Sequence, residues 1–401
     1  MKTLRFLWIA TITLSFFSSC TTSKVEKMAL SGQWEVKLDS TNIGTDENWA
    51  SGKFTASKIN LPGTLDDAGI GTPNRLEPAI NNYVMSNLTR KHQYIGKAWY
   101  QKEIDIPRSW NKKNIKLSLE RVIWESSVYV DGKLAGTANS LIGSHDFDLT
   151  NFLTPGKHLI TVVIDNSNKL PFINVTSDKY PDTVNQDLAH AYTNHTQIKW
   201  NGILGNIVLE ATDENMPENL QVYPNLKNNT LKVSFSQPPI IDKSFQCTIT
   251  SVGGEVVFDE KIENPKSENN TISIEIDRPE KLAFWDEFNP ARYDVEVTTN
   301  SGSIKTRFGY KGIANNNGDL SLNGKRIFLR GNLECVIFPL TGHPPMEKQD
   351  WATLIAKAKA YGLNHLRFHS WCPPKAAFDA ADEAGFYYQV ELPHWSLKVG
   401  E

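Results

Sequence analysis

Apolar and polar residues alternate in short runs through the first part of the sequence, and glycine, proline and asparagine interrupt these runs. Residues 99–106 form one run, which stops at Pro107, a residue that cannot donate to a strand ladder. Residues 127–130 form another and lead into an Asp-Gly pair, which is typical of a two-residue hairpin turn. Alternation with a period of two predicts β-strands, and many short strands without a helix predict a jelly-roll sandwich over residues 29–212.

One stretch of this region follows no period. Residues 170–197 carry several prolines, histidines and amide side chains, and a loop of this length is usually either functional or disordered. His195, Gln197 and Asn201 could therefore touch a ligand, with a role in the scaffold as the alternative.

A second set of alternating runs follows a polar stretch that ends at Pro217. Residues 217–312 carry seven short runs, which is typical of an immunoglobulin-like β-sandwich. Cys247 lies in one run and has no cysteine near it in sequence, so we expect no disulfide between the sheets. We interpret it as a small core residue.

The pattern changes again over residues 313–401, where strand-like runs alternate with apolar residues at helical spacing, and each helical run ends at a capping glycine. Alternating strands and helices predict the start of a parallel α/β unit. The predicted strands cover residues 327–329, 363–368 and 386–392, and the predicted helices cover residues 351–361 and 375–384.

Composition narrows the class of function. The 401 residues exceed what one core usually supports, so two or three domains are expected. Lys plus Arg number 42 and Asp plus Glu number 45, a net charge of -3, so no basic field predicts a nucleic acid partner. Four cysteines without a Cys-x-x-Cys pair predict neither a disulfide framework nor a zinc ribbon. The spacing of His, Asp and Glu gives no metal signature, so we expect no cofactor and leave a metal requirement open.

Residues 1–20 resemble a bacterial lipoprotein signal peptide. Basic residues precede an apolar run over residues 6–17, and two serines precede Cys20. The run is shorter than the about 20 residues of a membrane-spanning helix, so it predicts a secretory signal. We expect lipidation of Cys20 and an exported protein anchored to a bacterial membrane, on its periplasmic or cell-surface face. Simple cleavage with a free thiol is the alternative.

Short motifs occur in all three predicted domains. They are Leu-Pro-Gly-Thr at 61–64, Ala-Trp-Tyr at 98–100, Trp-Asn-Gly-Ile at 200–203, Asn-Pro-Ala-Arg-Tyr at 289–293, Asn-His-Leu-Arg at 364–367 and Asp-Glu-Ala-Gly at 382–385. In this order they resemble glycoside hydrolase family 2, which holds β-galactosidases, β-glucuronidases and β-mannosidases. The resemblance covers nearly the whole chain. It implies a jelly roll, an immunoglobulin-like sandwich and a (β/α)8 TIM barrel, of which residues 313–401 would be the first part.

The resemblance also implies a retaining, exo-acting hydrolysis of O-glycosyl bonds in an oligosaccharide or polysaccharide side chain. Two glutamates, a proton donor and a nucleophile, carry this reaction. In the family they lie at the ends of the fourth and seventh barrel strands. No Asn-Glu pair follows Gly312, and we expect both catalytic residues beyond Glu401 and this segment alone to be inactive. A non-catalytic carbohydrate-binding lipoprotein is the alternative, against which the barrel start argues.

Candidate sugar-binding or supporting residues follow the predicted strands, because the carboxyl ends of barrel strands face the active site. By resemblance Arg367 would orient the missing nucleophile, with a structural ion pair as the alternative. His369 could bond sugar hydroxyls, and Trp371 could stack on a pyranose unless it is a core residue. Glu391, at the end of the third strand, could contact a hydroxyl or a supporting residue.

Three further candidates lie in loops. Glu334 and His343 flank the loop after the first predicted barrel strand, and Trp395 lies beyond the third. Each could contact ligand, with a solvated loop position as the alternative. Gly205 stands where the family often has an arginine, which leaves the sugar and the linkage open.

Overall fold

The computed structural model describes residues 25–80, 88–167, 198–237 and 242–392, together with the backbone of residues 176–177 and 180–181. The strands of the first part are β1 Glu26–Ala29, β2 Gly32–Asp39, β3 Ser57–Leu61, β4 Gly63–Thr64, β5 Thr72–Pro73, β6 His92–Gln93, β7 Lys97–Ile106, β8 Asn114–Arg121, β9 Glu125–Val130, β10 Lys133–Asn139, β11 His145–Asp148, β12 Gly156–Asp165, β13 Thr176–Ser177, β14 Tyr180–Pro181 and β15 Gly202–Thr212. Short 3-10 helices cover Trp49–Ser51 and Arg108–Trp110.

Two antiparallel sheets of these strands share one core and are called here the first sandwich. The five-stranded sheet has the order β1-β15-β8-β11, with β4 paired to β15, and the six-stranded sheet has the order β10-β9-β12-β7-β2-β3. Trp34, Tyr100 and Val162 of the larger sheet pack with Leu117 and Leu209 of the smaller one. The period-two pattern places one face of each strand in this core, which explains why the sequence predicts these strands well.

The predicted hairpin and strand end are confirmed. β7 ends directly before Pro107. Asp131 and Gly132 join β9 to β10 with φ angles of 49° and 82°, the left-handed conformation that tight hairpin turns require.

The strands of the second sandwich are β16 Glu218–Asn225, β17 Thr230–Ser236, β18 Ser244–Ser251, β19 Val256–Glu263, β20 Ser267–Glu268, β21 Thr271–Asp277, β22 Tyr293–Thr299 and β23 Gly302–Phe308. They form two four-stranded antiparallel sheets, ordered β16-β17-β21-β20 and β19-β18-β22-β23. Cys247 is fully buried in the core between these sheets and is a free thiol, as predicted.

The remaining described residues, 313–392, form the parallel segment. Its elements are β24 Ile313–Asn316, β25 Asp319–Leu322, β26 Lys325–Arg326, β27 Gly331–Glu334, α1 Lys348–Ala360, β28 His365–Phe368, α2 Lys375–Ala384 and β29 Tyr387–Val390. An antiparallel sheet of β24, β25 and β26 precedes a parallel sheet ordered β27-β28-β29. Neither helix described here has the length and apolar character that crossing a bilayer requires.

The predicted buried strand at residues 327–329 is wrong. The first parallel strand, β27, begins only at Gly331, and the Phe328 side chain is 76% exposed. The Asn364 side chain explains the difference, because its amide N–H donates to the Phe328 carbonyl at 3.1 Å and its oxygen accepts from the Arg330 N–H at 2.8 Å. The Ile327 N–H donates to the Leu320 carbonyl at 2.9 Å, so this backbone is bonded by β25 and by the Asn364 side chain and not by the parallel sheet.

The chain is thus predominantly β-sheet, as predicted. The assignment of its sheets to a jelly roll, an immunoglobulin-like sandwich and a barrel stays a prediction, as do the domain limits.

An apolar cluster joins the first sandwich to the parallel segment. Trp124, Trp200 and Leu204 from the sandwich belong to the same buried cluster as Trp351 of α1 and Trp371 after β28. Burial of these four tryptophans therefore depends on both parts of the chain.

The Asp-Glu-Ala-Gly motif at the end of α2 docks against the second sandwich. The Glu383 carboxylate accepts from Arg292 at 3.2 Å and from Lys348 at 2.9 Å. The Trp285 indole N–H donates to the Asp382 carbonyl at 2.8 Å. The motif's acidic residues therefore hold the two parts together.

Gly385, the last residue of this motif, should not tolerate a side chain. Its φ is 65°, and an added Cβ would lie 2.7 Å from the Glu287 carbonyl oxygen. Gly362, which follows α1, is a matched control, because its φ is 78° and nothing lies within 4 Å of an added Cβ. We expect Gly385→Ala to lower the free energy of unfolding by about 2 to 4 kcal/mol and Gly362→Ala by about 1 kcal/mol. Equal losses in denaturant unfolding would contradict the close contact.

Candidate functional site

Charged side chains converge where the three parallel strands end. Glu334 is the last residue of β27, Arg367 is the third residue of the four in β28, and Glu391 directly follows β29. The register pairs Glu334 with Phe368 and Phe368 with Val390, so the strands end side by side. Carboxyl ends of parallel strands are where α/β folds place their ligands.

Glu391 is the centre of this charged group. Its Oε1 accepts from Arg367 Nε at 2.5 Å, and its Oε2 accepts from the Ser370 N–H at 2.8 Å and lies 3.4 Å from His369 Nδ1. Partial burial alone would raise the Glu391 pKa, but the Ser370 N–H, the Arg367 guanidinium and His369 together lower it below its usual value. Glu391 is therefore held as a carboxylate.

The cluster of Arg367, His369 and Glu391 remains open to solvent on one side. The Arg367 side chain is 45% exposed, and those of His369 and Glu391 are partly exposed. A guanidinium and a carboxylate in a fixed, accessible arrangement can donate to and accept from the hydroxyl groups of a ligand.

Glu334 has a different environment. Both of its carboxylate oxygens lie 3.1 Å from the Val336 N–H, so the side chain folds back onto its own loop. Burial raises the Glu334 pKa, although the backbone N–H groups of the loop partly oppose this. The pKa values of Glu334 and Glu391 are thus shifted in opposite directions. The Glu334 carboxylate, however, is bonded to the backbone of its own loop.

The segment after β28 bonds both Glu334 and Glu391. We call its residues 369–373 the site loop. The His369 N–H donates to the Glu334 carbonyl at 2.8 Å, and the Trp371 indole N–H donates to the same carbonyl at 3.2 Å. Ser370, whose N–H binds Glu391, has a φ of 58°. This left-handed residue turns its N–H toward the carboxylate, a role that sequence analysis missed because it belongs to the backbone.

Trp371 does not stack on a sugar, which corrects the sugar-stacking interpretation. The side chain is 3% exposed and packs against Phe338, Trp351 and Phe368, with ring centroids 5.1 to 6.4 Å apart. Its indole N–H is already bonded within the protein. The alternative, a core tryptophan, is the observed one.

Other predicted contacts are also internal. Asn201 is buried, accepts from the Tyr100 hydroxyl at 2.7 Å and donates to the Gly96 carbonyl at 3.0 Å, so it belongs to the scaffold. The predictions for Cys20, His195, Gln197 and Trp395 lie outside the described residues. Within the described ranges, no group of three His, Cys, Asp or Glu side chains could hold a metal ion.

A second charged contact, which the sequence did not indicate, joins the first sandwich to the loop after β27. Arg90 donates to Asp66 at 2.6 Å, to Asp67 at 2.5 Å and to the Leu340 carbonyl at 3.0 Å. His343 Nε2 lies 3.2 Å from Asp67 Oδ2. His343 is therefore a contact between parts of the chain, and the adjacent pair of aspartates was the available signal.

This contact should weaken in acid. Burial alone would raise the Asp67 pKa, but His343, Thr64 and Arg90 lower it from 3.8 to about 2. A lowered pKa means that the carboxylate stabilises the fold above about pH 4. This stabilisation is lost as the pH falls toward 2. The full shift corresponds to roughly 2.5 kcal/mol, but the Asp67 side chain is 37% exposed. Solvent screening reduces the expected loss to about 1 kcal/mol.

Denaturant unfolding at pH 6, 4 and 2.5 measures this effect. The difference in stability between wild type and Asp67→Asn should shrink as the pH falls. Asp319→Asn, which removes an exposed partner of Arg326, is the control and should show little difference at any pH. A pH-independent difference for Asp67→Asn would contradict the assignment.

The known proteins that this chain is similar to are glycoside hydrolases. Residues 27–194 match the family model described as the sugar binding domain of glycosyl hydrolases family 2. A putative beta-glucuronidase of Formosa agariphila is 26% identical over 378 residues, which cover 90% of this chain and 42% of that protein. The first part of the chain is thus similar to the sugar-binding domain of glycoside hydrolase family 2. The family resemblance predicted from the motifs is therefore confirmed.

The chain spans less than half the length of the curated relatives it matches. A beta-galactosidase of Priestia megaterium is 20% identical over 390 residues, 91% of this chain and 36% of that protein. The solved structure of a β-glucuronidase from Ruminococcus gnavus in complex with D-glucuronic acid matches with a TM-score of 0.68 and 15% identity, and covers 92% of this chain and 60% of that one. The last similarity is one of fold alone.

Proposed function

We propose that this chain is a member of glycoside hydrolase family 2 and forms the sugar-binding front of a retaining, exo-acting glycosidase. In this proposal Arg367, His369 and Glu391 meet the terminal sugar, and the two hydrolytic glutamates come from outside the described residues. The exposed Arg367–Glu391 pair at the carboxyl ends of parallel strands is the observation that supports it.

Each residue of the cluster has a defined task in this proposal. The Arg367 guanidinium donates to sugar oxygens and keeps Glu391 ionised, and the Glu391 carboxylate accepts from a sugar hydroxyl. His369, whose Nδ1 lies 3.4 Å from Glu391 Oε2, offers a second polar contact. Glu334 keeps the loop after β27 in place and does not reach the sugar.

A β-linked glucuronide is the first substrate to test, and a β-galactoside is the second. The names of the relatives support this order, since one curated relative and the solved structure are called β-glucuronidases and another relative a β-galactosidase.

Aryl β-glycosides of glucuronic acid, galactose, mannose and glucose test the proposal on the 401-residue chain. Saturation-transfer NMR should detect binding of one sugar. The aryl group should be released no faster than in buffer without protein. Binding of none of the four would overturn the sugar site. Rapid turnover would show that the chain holds its own catalytic pair.

We also propose export and lipid anchoring at Cys20. In a bacterial host grown with labelled palmitate, the wild-type chain should carry label and sediment with membranes. Cys20→Ala should lose the label and become soluble, whereas Cys247→Ala, which changes a buried core thiol, should keep the label. Labelled Cys20→Ala protein would contradict the anchor.

A further inference from the structure

Arg121 reaches from the first sandwich to the site loop. It is the last residue of β8, its exposure is only 7%, and its Nη1 donates to two carbonyls. One is the Leu141 carbonyl of its own sandwich at 3.1 Å, and the other is the Cys372 carbonyl of the site loop at 3.2 Å. A buried guanidinium between two carbonyls from separate parts of the chain fixes their spacing.

The position of the Cys372 carbonyl affects the charged cluster through the site loop. Cys372 lies two residues after Ser370, whose N–H binds Glu391 at 2.8 Å, and one residue after Trp371, whose indole binds the Glu334 carbonyl at 3.2 Å. The loop is short and its middle residues are buried, so a shift at Cys372 has few bonds over which to relax before Ser370.

Apolar packing on the same side leaves the loop little freedom. The Trp371 ring belongs to one buried cluster with Ile123, Trp124 and Leu204 of the first sandwich. The first sandwich therefore gives the site loop an apolar surface to pack on and one hydrogen bond, from Arg121. The apolar contacts limit how closely the site loop approaches the first sandwich. The Arg121 hydrogen bond fixes where the loop lies on that apolar surface.

We propose that Arg121 is a positioning residue for the sugar site: from the first sandwich it holds the site loop so that the Ser370 N–H orients the Glu391 carboxylate. Arg121 touches neither the sugar nor Glu391. The inference rests on the proposed function for its purpose, but the alignment of Glu391 can be measured without any substrate.

NMR of the carboxyl carbons, recorded over a range of pH on the chain labelled with 13C-glutamate, measures the Glu391 pKa. The Glu391 signal is the one that is missing from the spectrum of Glu391→Gln. The Ser370 N–H lowers the Glu391 pKa. Arg121→Met should therefore raise the Glu391 pKa by about half a unit or more. Exchange of the Ser370 amide should also become about tenfold faster. Arg121→Lys keeps the positive charge but loses the planar guanidinium with its several N–H donors. It should give a Glu391 pKa and a Ser370 exchange rate between those of wild type and Arg121→Met.

Arg307→Met is the matched control, because Arg307 pairs with Asp294 on the second sandwich. It should leave both signals unchanged. A lower melting temperature for Arg121→Met with an unchanged Glu391 pKa and Ser370 exchange would mean that Arg121 serves stability alone. If Arg121→Met does not fold, Arg121→Lys decides, and wild-type values for both signals overturn the proposal. A shifted Glu391 in a chain that binds no sugar contradicts only the proposed function.

Discussion

Trp371→Ala should cost about 3 to 5 kcal/mol of unfolding free energy, because a fully enclosed indole leaves a large cavity when it is removed. The ring lies in the cluster that joins the first sandwich to the parallel segment, and its N–H binds the Glu334 carbonyl. The loss should therefore free the parallel segment first. Limited proteolysis should cut within residues 313–392 while the second sandwich stays intact.

Trp371→Phe separates packing from sugar contact. Phenylalanine keeps most of the apolar volume and loses the indole N–H, so we expect a smaller loss, about 1 to 3 kcal/mol. If Trp371 instead stacked on a sugar, Trp371→Ala would remove sugar binding and leave stability near wild type. That outcome would contradict the burial of the ring.

Arg367→Ala should weaken sugar binding about tenfold or more, because charge-assisted hydrogen bonds are the strong polar contacts of such a site. It also removes one of the groups that lower the Glu391 pKa, so this pKa should rise toward its usual value. Protein stability should change little, since the Arg367 side chain is 45% exposed.

Arg326→Ala is the control for Arg367→Ala. Arg326 is an exposed arginine of the same segment whose partner, Asp319, is also exposed. Calorimetric titration with the sugar found in the aryl glycoside panel should give wild-type affinity for Arg326→Ala and weakened affinity for Arg367→Ala. Equal affinities in the two variants would exclude Arg367 from the sugar site.

Local patterns predicted the elements that local forces determine. The helix predicted over residues 375–384 is observed as α2 Lys375–Ala384, because its apolar alanines fall on one face and Gly385 ends it. The turn at Asp131 and the buried Cys247 followed from the same kind of information. The carboxyl ends of strands also placed Arg367 and Glu391 together, as the predicted parallel sheet implies.

Contacts between distant parts of the chain could not be predicted in this way. The apolar triplet at 327–329 resembles a strand, but the Asn364 side chain bonds the Phe328 carbonyl and the Arg330 N–H in place of a strand partner. The sequence around Trp371 fits a stacking residue and a core residue equally well. Its packing against Phe338, Trp351 and Phe368, within a cluster that the first sandwich also lines, decides for the core. The partners of Arg121 and Asp67 could not be found from the sequence, because they lie 251 and 276 residues further along the chain.

The most direct test of the proposed sugar site is NMR with the 401-residue chain labelled at the arginine side-chain nitrogen and the glutamate carboxyl carbon. Adding the aryl glycoside that binds should shift the Arg367 Nε and Glu391 carboxyl signals together, with the dissociation constant that calorimetry gives. The Arg326 and Glu334 signals should stay in place. Saturable binding that leaves Arg367 and Glu391 unmoved would contradict the site proposed at the ends of the parallel strands.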